Sequence, residues 1–328
     1  MNQPAFSMNR RAALALAVLS LLALAPQGQS FAADYPERPL TGIVPFAPGG
    51  ASDTVSRLFA NNVGIELGKP IIVENKPGAG GNLGIALAMQ AKADGYTILF
   101  CATAMTQNPG LYKTLGWNPD EVQAVAQMGG SDQLLVANVA HFPSGTLQDF
   151  VAYMKKNPGK VNFASQDSGL TANLFRTASG TQFEIINYSG GNDAAISVMS
   201  GETDIESLGY ASALAGLTSG KTRPLAVAGP ARLPQLPDTP TTAEAGMPLF
   251  LSHSYFGVFV RKGTPRPVID RLNAAVNKVG QMPEVIAKMA SLGFTPVQQT
   301  PEQFDNFFRT DIARWKKVVA ESGIKTLD

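Results

Sequence analysis

At 328 residues the chain can hold one large or two ordinary domains with a sizeable core. Its formal charge of +1 gives no electrostatic case for binding nucleic acid or an anionic membrane surface. One cysteine, Cys101, excludes an internal disulfide, and the two histidines, His141 and His253, lack the spacing of a metal motif.

Met8-Asn9-Arg10-Arg11, the apolar run Ala12–Ala25 and the small-x-small site Ser30-Phe31-Ala32 read as a secretory signal peptide over residues 1–32. Arg10-Arg11 also fits a twin-arginine route, although the surrounding motif favours the general one. Cleavage after Ala32 leaves 296 residues with 24 basic and 25 acidic side chains, a formal charge of −1. No later apolar run reaches the roughly 18 residues of a membrane span, so a soluble secreted protein is expected.

Leu40–Val44 predicts a strand and Thr54–Leu67 a helix, with Val55, Leu58, Phe59 and Val63 near helical spacing. Between them Pro45-Phe46-Ala47-Pro48-Gly49-Gly50-Ala51-Ser52-Asp53 combines stiff prolines, permissive glycines and capping side chains. Free N–H groups at a helix start form an anion site, although the same residues also fit a plain strand-to-helix turn. Ile71–Asn75 predicts a second strand, Pro77–Asn82 a second glycine-rich turn, Leu83–Lys92 a helix and Tyr96–Phe100 a third strand that Cys101 closes as a small buried hydrophobe. This β-α-β-α-β order predicts a parallel sheet with both glycine turns at its carboxyl edge, where ligands of open α/β sheets bind.

A second α/β series follows. Strands are expected at Leu134–Val139, Val161–Ser165, Phe183–Tyr188, Thr203–Leu208 and Arg223–Ala228, and helices at Thr146–Asn157, Thr171–Ser179, Asn192 to about Ser200 and Ala211–Thr218. Leu233–Gly246 reads as a connecting loop. Strand Phe256–Val260 and helices Pro265–Val279, Pro283–Leu292 and Pro301–Ser322 complete the chain. In the last helix Phe304, Phe307, Phe308, Ile312, Trp315 and Val319 recur at three- to four-residue spacing, the pattern of a core-facing stripe. Phe256–Val260 can return the chain to the first sheet, which makes the first domain discontinuous.

Enzyme motifs fail. A G-x-G-x-x-G run from Gly78 needs glycine where Leu83 stands, and neither a P-loop nor a G-x-S-x-G serine occurs. A Cys101–His pair is the one nucleophile combination left open. What remains is a set of neutral donors at turns, in 46–53, 80–82, Thr103, 165–171 and 188–192, suited to a carboxylate held by oriented N–H and O–H groups. Tyr188 and Asp204 also fit a packed aromatic and a strand-end turn residue.

The chain resembles the periplasmic receptors of tripartite tricarboxylate transporters, the Bug family of extracytoplasmic solute receptors. The resemblance is carried by Tyr35-Pro36-Glu37-Arg38-Pro39, Val44–Gly50 with Asp53, Val73–Asn82, Asp94-Gly95-Tyr96-Thr97, Arg223–Val227, Pro240–Gly246, Gly263-Thr264-Pro265 and Trp315–Val319. It implies an α/β fold of type II periplasmic binding proteins: a discontinuous domain over 33–132 and 247–328, a second over 133–246, and a ligand cleft between them. It further implies a monomeric receptor without cofactor or metal, which hands a small organic carboxylate to membrane transporter subunits. A sensor partner of a signalling receptor and a secreted hydrolase are the alternatives. Taken with the turn donors above, the expected ligand-binding residues are Phe46, Ala47, Gly50, Ser52, Asp53, Gly80, Gly81, Asn82, Thr103, Ser165, Gly169, Thr171, Tyr188 and Asp204.

The chain departs from the family pattern in its second half. Ala164-Ser165-Gln166-Asp167-Ser168-Gly169-Leu170-Thr171 replaces a run near G-S-x-G-x-G-[ST], Asn173 takes a histidine position, and Tyr188-Ser189-Gly190 replaces Tyr-Lys-Gly. Losing that lysine and gaining Asp167 shifts the local charge by about −2 and makes a second ligand carboxylate less welcome there.

Overall fold

A computed structural model describes residues 35–167, 169–188, 191–322, 326 and 327. The expected signal peptide, Ser168 and Ser189-Gly190 lie outside the described residues. Nine strands alternate with ten helices among them. The first half holds β1 (Leu40–Val44), α1 (Ala51–Leu67), β2 (Ile71–Asn75), α2 (Asn82–Gln90), β3 (Thr97–Ala102), α3 (Ala104–Leu111) and the long β4 (Val122–Asn138). Next come α4 (Leu147–Lys156), β5 (Asn162–Ser165), α5 (Leu170–Ser179), β6 (Glu184–Asn187), α6 (Gly191–Ser200), β7 (Ile205–Gly209), α7 (Tyr210–Thr218) and β8 (Thr222–Val227). The chain closes with β9 (His253–Arg261), α8 (Arg266–Val279), α9 (Pro283–Ser291) and α10 (Pro301–Ser322).

The sheet runs β2-β1-β3-β9-β4-β7-β5-β6, with β8 also paired to β4. The pairs β1–β2, β1–β3, β5–β6 and β5–β7 are parallel, whereas β9 and β4 run antiparallel to their neighbours. β9 therefore does return to the first set of strands. Strand β4 links the two sets: Val122–Asp132 pairs with β9, and Gln133–Asn138 pairs with β7 and β8.

The pattern anticipated only Leu134–Val139 of this 17-residue strand. Gly129 and Gly130 interrupt the β-rich signal at its centre, and both are needed for close approach. A Cβ at Gly129 would lie 2.4 Å from Met289 Cε and 2.9 Å from the Thr295 carbonyl oxygen, and one at Gly130 would lie 2.5 Å from His253 Cε1. Helix α3 escaped notice because it is short and carries Pro109 inside it.

The best-marked helices have local causes. Thr146 and Asp149 form a reciprocal capping box at α4, and Lys155 and Lys156 lie in its last turn. Pro283 sits in the first turn of α9, where its missing N–H is harmless. The stripe on α10 packs onto two clusters. Phe304, Phe308 and Ile312 join Leu99, Cys101 and Phe259, while Trp315 and Val319 join Phe163, Phe175 and Phe250. A third cluster, of Leu134, Val136, Ala164, Ala194, Val198 and Leu208, lies between the sheet and helices α6 and α7.

Candidate functional site

A cavity of about 770 Å³ opens where the parallel strands end. Gly50 and Ala51 follow β1, Thr103 and Gln107 follow β3, Gln166, Asp167 and Thr171 follow β5, Gly209 ends β7, and Ala211 and Ser212 follow it. This is the carboxyl edge expected of an α/β sheet. Ser131 and Gln133 of β4 and Ser252, His253 and Ser254 at the start of β9 contribute from the link between the strand sets. Gly191, Asn192 and Asp193 open α6, and Leu292, Gly293 and Phe294 follow α9.

The 45–53 loop is folded around a carboxylate. Asp53, 5 % exposed, accepts hydrogen bonds from the Gly49 N–H (2.9 Å), Arg57 Nε (3.0 Å) and Asn75 Nδ2 (2.8 Å). Asn75 Nδ2 also donates to the Phe46 carbonyl oxygen. Burial raises the Asp53 pKa, but the bonds from Arg57, Gly49 and Asn75 outweigh it and hold the carboxyl below its ordinary range. Asp53 thus shapes the loop and does not line the cavity. Ser52 is half-buried and Ala47 exposed, and neither belongs to the lining. Gly50 does line it, as the cap of α1 without a side-chain hydrogen bond.

The second turn bends through four consecutive residues of positive φ, Gly78 to Gly81. Gly80 has φ +61°, and a Cβ there would meet Tyr112 Oη at 2.4 Å. Asn108 Nδ2 donates to the Gly80 carbonyl oxygen (3.0 Å) and to Asn82 Oδ1 (2.9 Å), which also accepts from Trp117 Nε1. The two turns touch: a Cβ at Gly81 would lie 3.3 Å from the Phe46 ring, and one at Gly84 would lie 2.8 Å from Pro45. Phe46, Gly80, Gly81 and Asn82 are not part of the cavity lining.

In the second half, buried Ser165 accepts from the Gly169 N–H (2.8 Å) and donates to Asp167 Oδ1 (3.0 Å). Gly169, at φ +86°, starts α5. The Thr171 N–H donates to Asp167 Oδ2 at 3.0 Å, and the Thr171 hydroxyl donates to the same oxygen. Ser165 and Gly169 therefore build the 165–171 loop, while Asp167 and Thr171 line the cavity. Tyr188 points its hydroxyl to Glu202 (3.0 Å) instead. Asp204 accepts from the Asn162 N–H (2.7 Å) and pairs with His141. Asn162 opens β5 whereas Ser165 closes it, so Asp204 sits at the opposite strand end from the cavity.

Residues 55–324 match the family of tripartite tricarboxylate transporter receptors, TctC. The chain belongs to that family. This receptor is 34% identical over 304 residues to protein BugT of Bordetella pertussis, across 89% of this chain and 91% of that one. It is similar to the solved structure of MatC from Rhodopseudomonas palustris with bound malate, at 31% identity and TM-score 0.69 over 87% of this chain and 100% of that one. It is also similar to R. palustris Rpa4515 with adipate, at 28% identity and TM-score 0.73 over 90% and 100%.

Among the described residues that line the receptor's cavity there is no lysine or arginine. Helix amino ends also border it. The caps of α1, α3 and α7 (Gly50, Thr103 and Gly209) give no side-chain hydrogen bond to the first-turn N–H groups. Ser131, Gln133, Ser252, His253 and Ser254 were not legible as site residues, because they sit in β4, in β9 or just before β9 with no turn signal. His253 Nδ1 lies 2.9 Å from Asp132 Oδ1, and its ring packs edge-on against Phe307. Beside the cavity residue Ser207, Glu206 of β7 is 0 % exposed with no partner for either carboxylate oxygen among the described residues. Burial, and then the negative field of Asp167, push its carboxyl up to about 9.

Proposed function

We propose that this receptor captures a small organic carboxylate in the periplasm and delivers it to membrane subunits of a tripartite tricarboxylate transporter. The observation that carries this reading is the cavity lined by uncapped helix amino ends in the absence, among its described residues, of lysine or arginine. Each such end favours an anion by about 0.3–1 kcal/mol, rising to about 2 when partly buried. The relatives solved with malate and adipate support the same ligand class.

In this reading the carboxylate meets the N–H groups around Gly50 and Ala51 and the hydroxyl of Thr103. Phe46, Asp53 and Gly80–Asn82 hold that wall in shape from behind. The lobes are 33–132 with 247–328, and 133–246, hinged where β4 and β9 cross between them, and closure follows tighter binding to the closed form. Catalysis has no support. Cys101 is 1 % exposed, and burial pushes its thiol up to about 12, far from a reactive thiolate. Mass spectrometry of small molecules released by unfolding freshly purified receptor tests the reading. A stoichiometric carboxylate is expected, and a stoichiometric ligand without a carboxylate overturns it.

A further inference from the structure

Resting on that carboxylate reading, we propose that the receptor selects a small zwitterion, its carboxylate at the helix ends of the first half and its cationic far end facing Asp167. Three observations carry the assignment beyond a generic organic acid. The first is charge. Asp167 places an acidic side chain in the part of the lining that comes from the second half, and the described lining residues include no lysine or arginine. A dicarboxylate would bring its second negative charge to the wall that carries Asp167.

The second observation is what the donors of that wall are doing. In α1 the cap Gly50 has no side chain to offer, so no capping side chain occupies the first-turn N–H groups. In α5 the Thr171 N–H and hydroxyl already donate to Asp167, and the Ser165 hydroxyl does the same. The 165–171 loop has therefore given its anion-binding groups to its own carboxylate. These three donors leave about one of a carboxylate's four acceptor directions for an N–H from a ligand.

The third observation is independent of the lining. Glu206, wholly buried one residue from Ser207, finds no partner among the described residues for either carboxylate oxygen. The field of Asp167 reaches it and raises its pKa. A lysine or arginine close by would have given Glu206 a partner. The negative potential of Asp167 thus extends behind the wall uncompensated, and a cation supplied by the ligand would complete it.

The experiment is calorimetric titration of the receptor, freed of co-purified ligand by unfolding and refolding, with matched series of four, five and six carbons. Each series compares a dicarboxylate (succinate, glutarate, adipate), an ω-amino acid (4-aminobutyrate, 5-aminopentanoate, 6-aminohexanoate) and a plain monocarboxylate. At the best-fitting length the ω-amino acid is expected to bind at least about tenfold tighter than the dicarboxylate. Asp167→Asn should remove about tenfold from the ω-amino acid while leaving the monocarboxylate within about twofold, a split that a merely structural role would not produce. Asp167→Ser serves as the second variant, with a loss of the same sign, should Asp167→Asn fail to fold. Dicarboxylates binding as tightly as ω-amino acids, or an equal loss of all three classes in Asp167→Asn, overturn the inference and leave the carboxylate reading standing. Butylamine binding as tightly as 4-aminobutyrate, or no carboxylate binding to folded receptor, overturns the carboxylate reading itself.

Discussion

Replacing Glu206 with glutamine should stabilise the receptor, and increasingly so as the pH rises. Glu206 pairs across the sheet with Val136 of β4 and Ala164 of β5. Because side chains alternate along a strand, it faces the same side as Leu208, the side covered by α6 and α7. The titratable groups whose fields connect with it are Asp167 and Tyr188. Its carboxyl keeps a proton up to about 9 in the folded chain, against an ordinary value of 4.5. Between those limits the folded state binds one proton more than the unfolded state. Stability is therefore greatest below the unfolded value and declines as pH rises through the window to the folded one. At about 1.4 kcal/mol per pH unit, the roughly 2.5 units from about pH 5.5 to about pH 8 cost about 3 kcal/mol. Glutamine keeps the shape and the neutrality of the protonated acid but has no proton to lose. Urea denaturation of both proteins across that range should show the gap between them widening by about 2–4 kcal/mol in favour of the variant. Parallel pH profiles would refute the reasoning, since they mean that Glu206 is ionised in the folded receptor.

Other substitutions probe the scaffold. Asp53→Ala removes the acceptor of three hydrogen bonds in the 45–53 loop and should lower stability by about 1–3 kcal/mol in urea unfolding. Because the folded pKa of Asp53 is depressed, its contribution is present above the ordinary value of 3.8 and lost as pH falls below it, so the deficit should vanish in acid. Gly80→Ala forces a side chain into a positive-φ position and onto Tyr112 Oη, and should cost about 1–3 kcal/mol, partly restored by Tyr112→Phe. Trp315→Ala opens a hole where α10 meets Phe163 and Phe175 and should cost about 3–5 kcal/mol, read as a fall in the denaturation midpoint. Cys101 should resist thiol reagents in the native state, and Cys101→Ala should leave ligand affinity unchanged.

The sequence made much of this legible because local chemistry marks it. Glycines and prolines punctuate 45–53 and 77–82, and the turns they mark do meet, with Phe46 against Gly81 and Pro45 against Gly84. The stripe of α10 was readable from its spacing alone. What stayed hidden depends on long-range geometry. Whether a turn residue faces the cavity or braces it is decided by partners far along the chain, as Asn75 and Arg57 decide it for Asp53, and Asn108 and Trp117 for Asn82. Asp204 looked like a turn acceptor, but the length of β5 puts it at the opposite strand end. The cavity residues of β4 and β9 carry no local signature at all, since crossing between strand sets is a property of the sheet order and not of any short motif.

The central claim is that a ligand carboxylate is held by the amino end of α1. Ala51 is the first helical residue after the cap Gly50, a position where proline is well tolerated, so Ala51→Pro deletes one N–H donor while preserving the helix. Gly50, at φ −76° and ψ 173°, already has the extended backbone that a following proline demands. The most direct test is the affinity of wild type and Ala51→Pro for the carboxylate recovered from the purified receptor, alongside their thermal midpoints. The account predicts about a tenfold or greater loss of affinity with an unchanged midpoint. Equal affinities in the two proteins would contradict it.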